Sequence, residues 1–131
     1  MARKSSRGDG GSSRPARVAE RVRVELGELL MRGTLGDPGA RDAVVSAVRM
    51  SGDLSIARVY VRTLGQASPG RQRALVEALE RGAGRLRSQL AGRLQLRRAP
   101  ELRFFWDDVV DSAGRIEGIL DELRHEGEEG A

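Results

Sequence analysis

"ERGAGRLRSQL", from Glu80 to Leu90, lies in a run that reads as helix on both sides. Gly82 and Gly84 sit in its middle. Each glycine costs a helix interior up to about 1 kcal/mol relative to alanine. Leu75 and Leu79 mark an apolar stripe before the glycines, and Leu86, Leu90 and Leu94 resume it after them. The step from Leu79 to Leu86 is seven residues, or two helical turns, so the stripe keeps its phase. The stretch is either one kinked helix or two helices joined with almost no loop. Arg81, Arg85 and Arg87 surround the joint.

Working outward, Ser68-Pro69 is a helix start, with serine as cap and proline in the first turn. Ala99-Pro100 is expected to stop the helix that follows the joint. "ELRFFWD" then reads as a strand in which Leu102, Phe104 and Trp106 alternate with Arg103 and Phe105, its three aromatics mostly core. Upstream, "LSIARVYVRTL" is the clearest strand, with Ala57, Val59 and Val61 on one face and Arg58, Tyr60 and Arg62 on the other. The turn "SGDL" joins it to a strand over Val44 to Met50, giving an antiparallel hairpin with one apolar face. Before the hairpin, Pro15 opens a helix carrying Val18, Val22, Leu26, Leu29 and Leu30, which should end near Gly33. "GTLGDPGARD" follows as a loop. After the last strand, Asp111 or Ser112 caps an amphipathic helix with Ile116, Ile119, Leu120 and Leu123. The fold class is α+β: one small sheet covered by helices, plus a C-terminal helix. Residues 1–13 read as a disordered basic tail, 14–124 as one domain and 125–131 as a disordered acidic tail.

Composition narrows the function. The 131 residues include no cysteine and one histidine, His125. That excludes disulfide scaffolds and Cys-ligated metal sites, and no nucleophile–histidine set can be built. No cofactor, metal or small-molecule substrate is expected, and the protein should not be an enzyme. No apolar run approaches the roughly 18 residues of a membrane span, and no apolar segment follows the basic N-terminus as in a secretory signal. A cytoplasmic location is expected. The net charge is +4, and all but one of the 23 basic residues are arginine, whose planar fork suits phosphate. The charge is segregated. Arg81 to Arg103 holds seven arginines against one acid, Glu101, while Glu117 to Ala131 holds six acids against Arg124. A basic footprint of this kind points to nucleic acid.

The order helix, strand, strand, helix, kink, helix, strand resembles a KH-type nucleic-acid module of type II order. There a GXXG loop joins two helices and clamps a nucleic-acid backbone. "GTLG" at 33–36 and "GDPG" at 36–39 match that string but precede the first strand, so they read as ordinary loop glycines. With the shortened joint, the chain resembles the bacterial ribosome-binding factor A family over about residues 14–124. Four stretches carry the likeness: "RPARVAERVRVEL", "VRMSGDLSIARVYV", "GAGRLRSQL" and "LRRAPELRFFWDD". The family's kink usually reads Ala-x-Gly, whereas this chain has Gly82-Ala83-Gly84. The resemblance implies a monomeric RNA-binding protein that associates with free small (30S) ribosomal subunits. It implies a part in late assembly and 16S rRNA maturation, near the RNA's 5′ end and the neck. The alternative is a general KH-like RNA-binding protein not tied to the ribosome.

The candidate RNA-binding residues are Arg81, Gly82, Ala83, Gly84, Arg85, Arg87, Arg93, Arg97 and Arg98. Glycines let another backbone approach closely, and a helix N-terminus at the joint offers N–H groups to phosphate. Arg85, Gln89 and Arg93 share the flank outside the leucines. Arg97 and Arg98 are expected at the helix end, where positive charge also complements the helix dipole. Arg58, Tyr60 and Arg62 place an aromatic between two cations, which suits either a stacked base or an ordinary solvent face. Asp107, Asp108 and Asp111 admit a magnesium-dependent nuclease or, more simply, a strand end and helix cap. A basic adaptor for an acidic protein is the remaining class.

Overall fold

The computed structural model describes residues 13–108. The tails at 1–12 and 125–131, Asp111 and the helix expected after it lie outside the described residues.

The first helix, α1 (Arg14–Met31), starts where Ser13 accepts a hydrogen bond from the Ala16 amide at 3.3 Å, with Pro15 in the first turn. It buries Ala19, Val22, Leu26 and Leu29, one stripe at helical spacing. The stop near Gly33 is as expected. Gly33 takes a left-handed φ of 74°. Its amide reaches the Leu30 carbonyl at 3.0 Å, and the Thr34 amide reaches Leu29 at 3.2 Å. This paired closure satisfies carbonyls that the helix end would otherwise leave open.

Strands β1 (Ala43–Met50) and β2 (Ile56–Thr63) form the antiparallel hairpin. The third strand, β3 (Glu101–Trp106), runs parallel to β2, so β2 is central in the order β1-β2-β3. A parallel neighbour requires a crossover. Helices α2 (Pro69–Arg81) and α3 (Ala83–Leu94) supply it. The alternation read in β2 holds, because Ala57, Val59 and Val61 are fully buried while Arg58 is exposed. Ser68 caps α2 by accepting from the Arg71 amide at 3.1 Å. Leu75, Leu79, Leu86, Leu90 and Leu94 all join the core against the sheet, together with Leu102 and Phe104 of β3. The free edge of β3 is covered from α2, since the Phe104 amide donates to Glu80 Oε2 at 3.1 Å.

Two expectations are corrected. The helix after the joint ends at Leu94, not at Ala99-Pro100, because Gln95 turns left-handed with a φ of 57°. Ala99 and Pro100 are buried instead. They lead the chain back into the sheet, where the Glu101 amide bonds the Ser55 carbonyl at 2.8 Å. Arg97 and Arg98 therefore lie in an exposed segment beyond α3, off the helix end. The second correction concerns Phe105, one of the three aromatics expected to be mostly core. It is 41% exposed and stacks on Tyr60 on the outer side of the sheet. Period-two alternation places it there, opposite Phe104 and Leu102.

Candidate nucleic-acid interface

The joint between α2 and α3 is one residue, Gly82. Hydrogen bonding runs straight through it: the Gly82 amide donates to Ala78 at 3.1 Å, and the Leu86 amide donates to Gly82 at 3.0 Å. These i→i−4 bonds are why the leucine stripe keeps its phase. The two glycines serve different purposes. Gly82 has an ordinary φ of −93°. A Cβ placed there would lie 2.7 Å from Leu35 Cδ1 and 3.1 Å from its Cγ. Glycine here makes room for the Leu35 side chain, which would have to shift to admit a Cβ. A Cβ on Gly84 would meet nothing. Gly84 leaves the outer side of the joint bare, and Gly82 offers no side-chain cap to the first turn of α3. The backbone at this turn is therefore free of side-chain cover on its outer side, with room for another backbone to approach.

The glycine-rich loop at 33–39, which matches GXXG only as a string, packs on this joint. Leu35 lies over Gly82. Asp37 accepts from the Gly39 amide at 2.9 Å and from Arg81 at 3.0 Å. Both interactions, the Gly39 bond first, hold its carboxyl below the usual carboxylate range. Arg85 reaches the Thr34 carbonyl at 3.4 Å. Arg71 ties the same loop to α2 through the carbonyls of Gly39 and Arg41 at 2.8 and 2.7 Å. These partners, some 30 to 50 residues away in sequence, are invisible to a local reading.

The remaining basic residues separate into two groups. Arg93, expected on an outer flank with Arg85, has its guanidinium pinned to α1, 2.7 Å from Glu25 and 3.2 Å from Glu28. Those bonds, Glu25 first, raise its pKa further above the ordinary arginine value. Arg21 completes the clasp by donating to the Arg93 carbonyl at 3.0 Å. Arg87, Arg97 and Arg98 instead gather with Arg14 around a cleft of about 340 Å³ beside the hairpin turn at Asp53 to Ser55. Arg87 Nε is held by the Ala99 carbonyl at 3.0 Å. Arg97 and Arg98 are exposed, with no hydrogen bond or ion pair among the described residues. A second groove, of about 620 Å³, adds Arg14, Arg17 and Arg21 over an apolar floor of Val18, Leu94 and Leu96. These three α1 arginines are absent from the sequence-derived set, although their spacing at 14, 17 and 21 puts them on one side of a helix.

Asp107 has a structural partner. Asp107 Oδ2 lies 2.5 Å from the Ser46 hydroxyl, which is also 3.1 Å from the Tyr60 carbonyl. Ser46 sits where the β1–β2 register shifts, so the irregularity aims it across the sheet. Among the described residues there is no group of three or more His, Cys, Asp or Glu side chains placed to hold a metal ion. No helix among them is long and apolar enough to cross a membrane.

A helix, a hairpin, two helices meeting at a tight joint and a parallel third strand define a KH-like domain, with a one-residue bend where KH domains carry a loop. The family model described as "Ribosome-binding factor A" matches residues 14–120. Ribosome-binding factor A of Methylobacterium sp. (strain 4-46) is 45% identical over 121 residues, covering 90% of this chain and 84% of that one. A crystal structure of ribosome-binding factor A from Thermus thermophilus superposes with a TM-score of 0.61 at 32% identity, covering 70% of this chain and 93% of that one. A homology model of the Thermus thermophilus factor, as fitted into the cryo-electron-microscopy map of a 30S complex, superposes with a TM-score of 0.56 at 30% identity, covering 71% of this chain and 94% of that one. The chain belongs to the ribosome-binding factor A family.

Proposed function

We propose that this protein binds free small ribosomal subunits as a cytoplasmic monomer and assists their late assembly, including 16S rRNA maturation near the 5′ end and the neck. It acts by binding RNA and catalyses no reaction. Family membership over residues 14–120 carries this reading, and a relative of like fold has been fitted into a 30S complex.

The rRNA backbone docks along α3. At one end it meets the bare first turn at Gly82, Ala83 and Gly84, with Arg81 and Arg85 beside it. At the other end it meets Arg87, Arg97 and Arg98. Arg93 keeps α3 seated on α1 while the others make contact. Arginine–phosphate contacts supply affinity and orientation, and the shape of the joint supplies specificity.

Sedimentation of cell lysate tests the reading. The protein should travel with free small subunits and be missing from translating ribosomes. Protein that stays at the top of the gradient in low salt refutes it. Equal binding to any RNA, with no preference for the subunit, returns it to the general KH-like class. Arg85→Glu combined with Arg87→Glu should weaken subunit binding while the circular dichroism spectrum is unchanged.

A further inference from the structure

The outer side of the sheet carries an ordered pattern that the function above does not use. Register places Arg49, Arg58 and Arg103 on one rung across the three strands. The next rung is Ala47, Tyr60 and Phe105. Rungs two residues apart on one face are separated by about 7 Å. The Tyr60 and Phe105 rings stack with centroids 5.5 Å apart and planes 29° apart. Arg62 extends the cationic lining beyond the aromatic rung. Helices α1, α2 and α3 pack on the opposite, apolar side with Val59, Val61 and Phe104. Phe105 is the outer ring of the pair, on an edge strand, and 41% exposed. Among the described residues, Arg103 is held by a solvent-exposed pair with Glu101 at 3.0 Å, an interaction worth little in water and readily exchanged.

We propose that this sheet face is a second RNA-binding surface, on which an unpaired base adds to the Tyr60–Phe105 stack while Arg49, Arg58 and Arg103 hold the adjoining phosphates. The proposal rests on the RNA-binding reading and extends it to single-stranded RNA on the side of the domain away from the helix joint. Charge alone suits any polyanion. The stacked aromatic pair favours a nucleic-acid occupant, because every base brings a π-face to the stack whereas the Asp and Glu side chains of an acidic peptide carry no ring. Cations beside exposed aromatics on a sheet are the elements that sheet-based RNA modules combine.

The test uses the full chain and a fluorescein-labelled single-stranded RNA ten-mer, with a hairpin duplex as control. Tyr60→Thr with Phe105→Thr keeps strand-forming residues and should weaken single-strand binding about tenfold or more. Duplex binding and the melting curve should change little. Phe105→Tyr should retain binding. Arg49→Gln, Arg58→Gln and Arg103→Gln together should lower the salt slope of single-strand binding by about 2. In wild type, photocrosslinking with 4-thiouridine RNA should mark the strand peptides that hold Tyr60 and Phe105, a readout independent of any variant's folding. Unchanged single-strand affinity in the aromatic variant, or crosslinks confined to Arg81–Arg98, overturns the proposal. It is also overturned if a peptide of residues Glu117–Ala131 displaces the RNA equally well from wild type and aromatic variant, since that assigns the face to an acidic segment. Subunit sedimentation of wild type is measured separately, so failure of this face and failure of the ribosomal reading are told apart.

Discussion

The two ends of α3 carry the same side chain and use it differently. At the joint, Arg81 is bonded to Asp37 and Arg85 to the Thr34 carbonyl. Past the far end, Arg97 and Arg98 stand exposed around a cleft with Arg14 and Arg87. Near that end, inside the last turn of the helix, Arg93 is clasped by two glutamates of α1. A run of arginines that looks uniform in sequence therefore has three kinds of member. Some brace the fold, some brace it while remaining partly accessible, and some stand exposed with no partner among the described residues. An arginine already paired must give up its partner to take a phosphate, whereas an exposed one exchanges only water and counterions.

The sharpest way to break this comparison is charge reversal at the far end. Arg97→Glu with Arg98→Glu should weaken RNA binding on the order of tenfold for each charge-assisted hydrogen bond removed. The log–log salt slope should fall by about 1.5, with melting unchanged. An unaltered slope in a salt titration would make the two ends equivalent. Next in size is Gly82→Val, which overpacks the contact with Leu35 and should cost about 2 kcal/mol in urea denaturation. Leu35→Ala in the same chain should restore part of that stability, and strict additivity would show that Leu35 is not the reason for the glycine. Arg93→Gln should lower the melting temperature more than Arg97→Gln does, because it leaves Glu25 and Glu28 without their cation. Its RNA affinity, measured well below melting, should stay near wild type.

Gly84→Ala should do the opposite of Gly82→Val. With open space for its Cβ, alanine should stabilise α3 by about 0.5–1 kcal/mol. RNA binding in the same variant reports whether the bare backbone is used. The smallest effect is at Asp37. Its folded pKa is depressed by the Gly39 amide and then by Arg81. Its contribution is therefore complete above the unfolded carboxylate value of about 3.9 and is lost as pH falls through the lower folded value. Asp37→Asn should flatten the acid limb of a stability–pH curve while leaving the slope between about pH 5 and 7 unchanged.

Much of the fold is legible in the sequence because its signals are local. Ser68-Pro69 begins a helix and Gly33 ends one through geometry spanning a few residues. The alternation in "IARVYVR" assigns inner and outer faces by the pleat alone. The leucine phase across Gly82 and Gly84 already sets both helices' apolar stripes on the same side. The stop at Gln95 is not legible, because glutamine carries no strong signal for a left-handed turn and Pro100 offers a louder one. Hydrophobicity draws Phe105 into the core, although its place between Phe104 and Trp106 already puts it on the other face. At the candidate interface, the cluster of Arg81, Arg85 and Arg87 is legible as charge, while the contribution of Arg14, Arg17 and Arg21 is not, since a groove between α1 and the end of α3 exists only once the two helices pack.

The sequence by itself determined the elements, their order and the basic character of the region from Arg81 to Arg103, since propensity, capping, period and charge are properties of neighbouring residues. Tertiary structure alone decided which arginines have partners, that Leu35 packs over Gly82 and leaves Gly84 in the open, and that Arg49, Arg58 and Arg103 share a rung. Each of these depends on residues far apart in the chain being brought together by strand register and helix packing. No local pattern encodes the distance from Arg93 to Glu25, from Gly82 to Leu35 or from Tyr60 to Phe105.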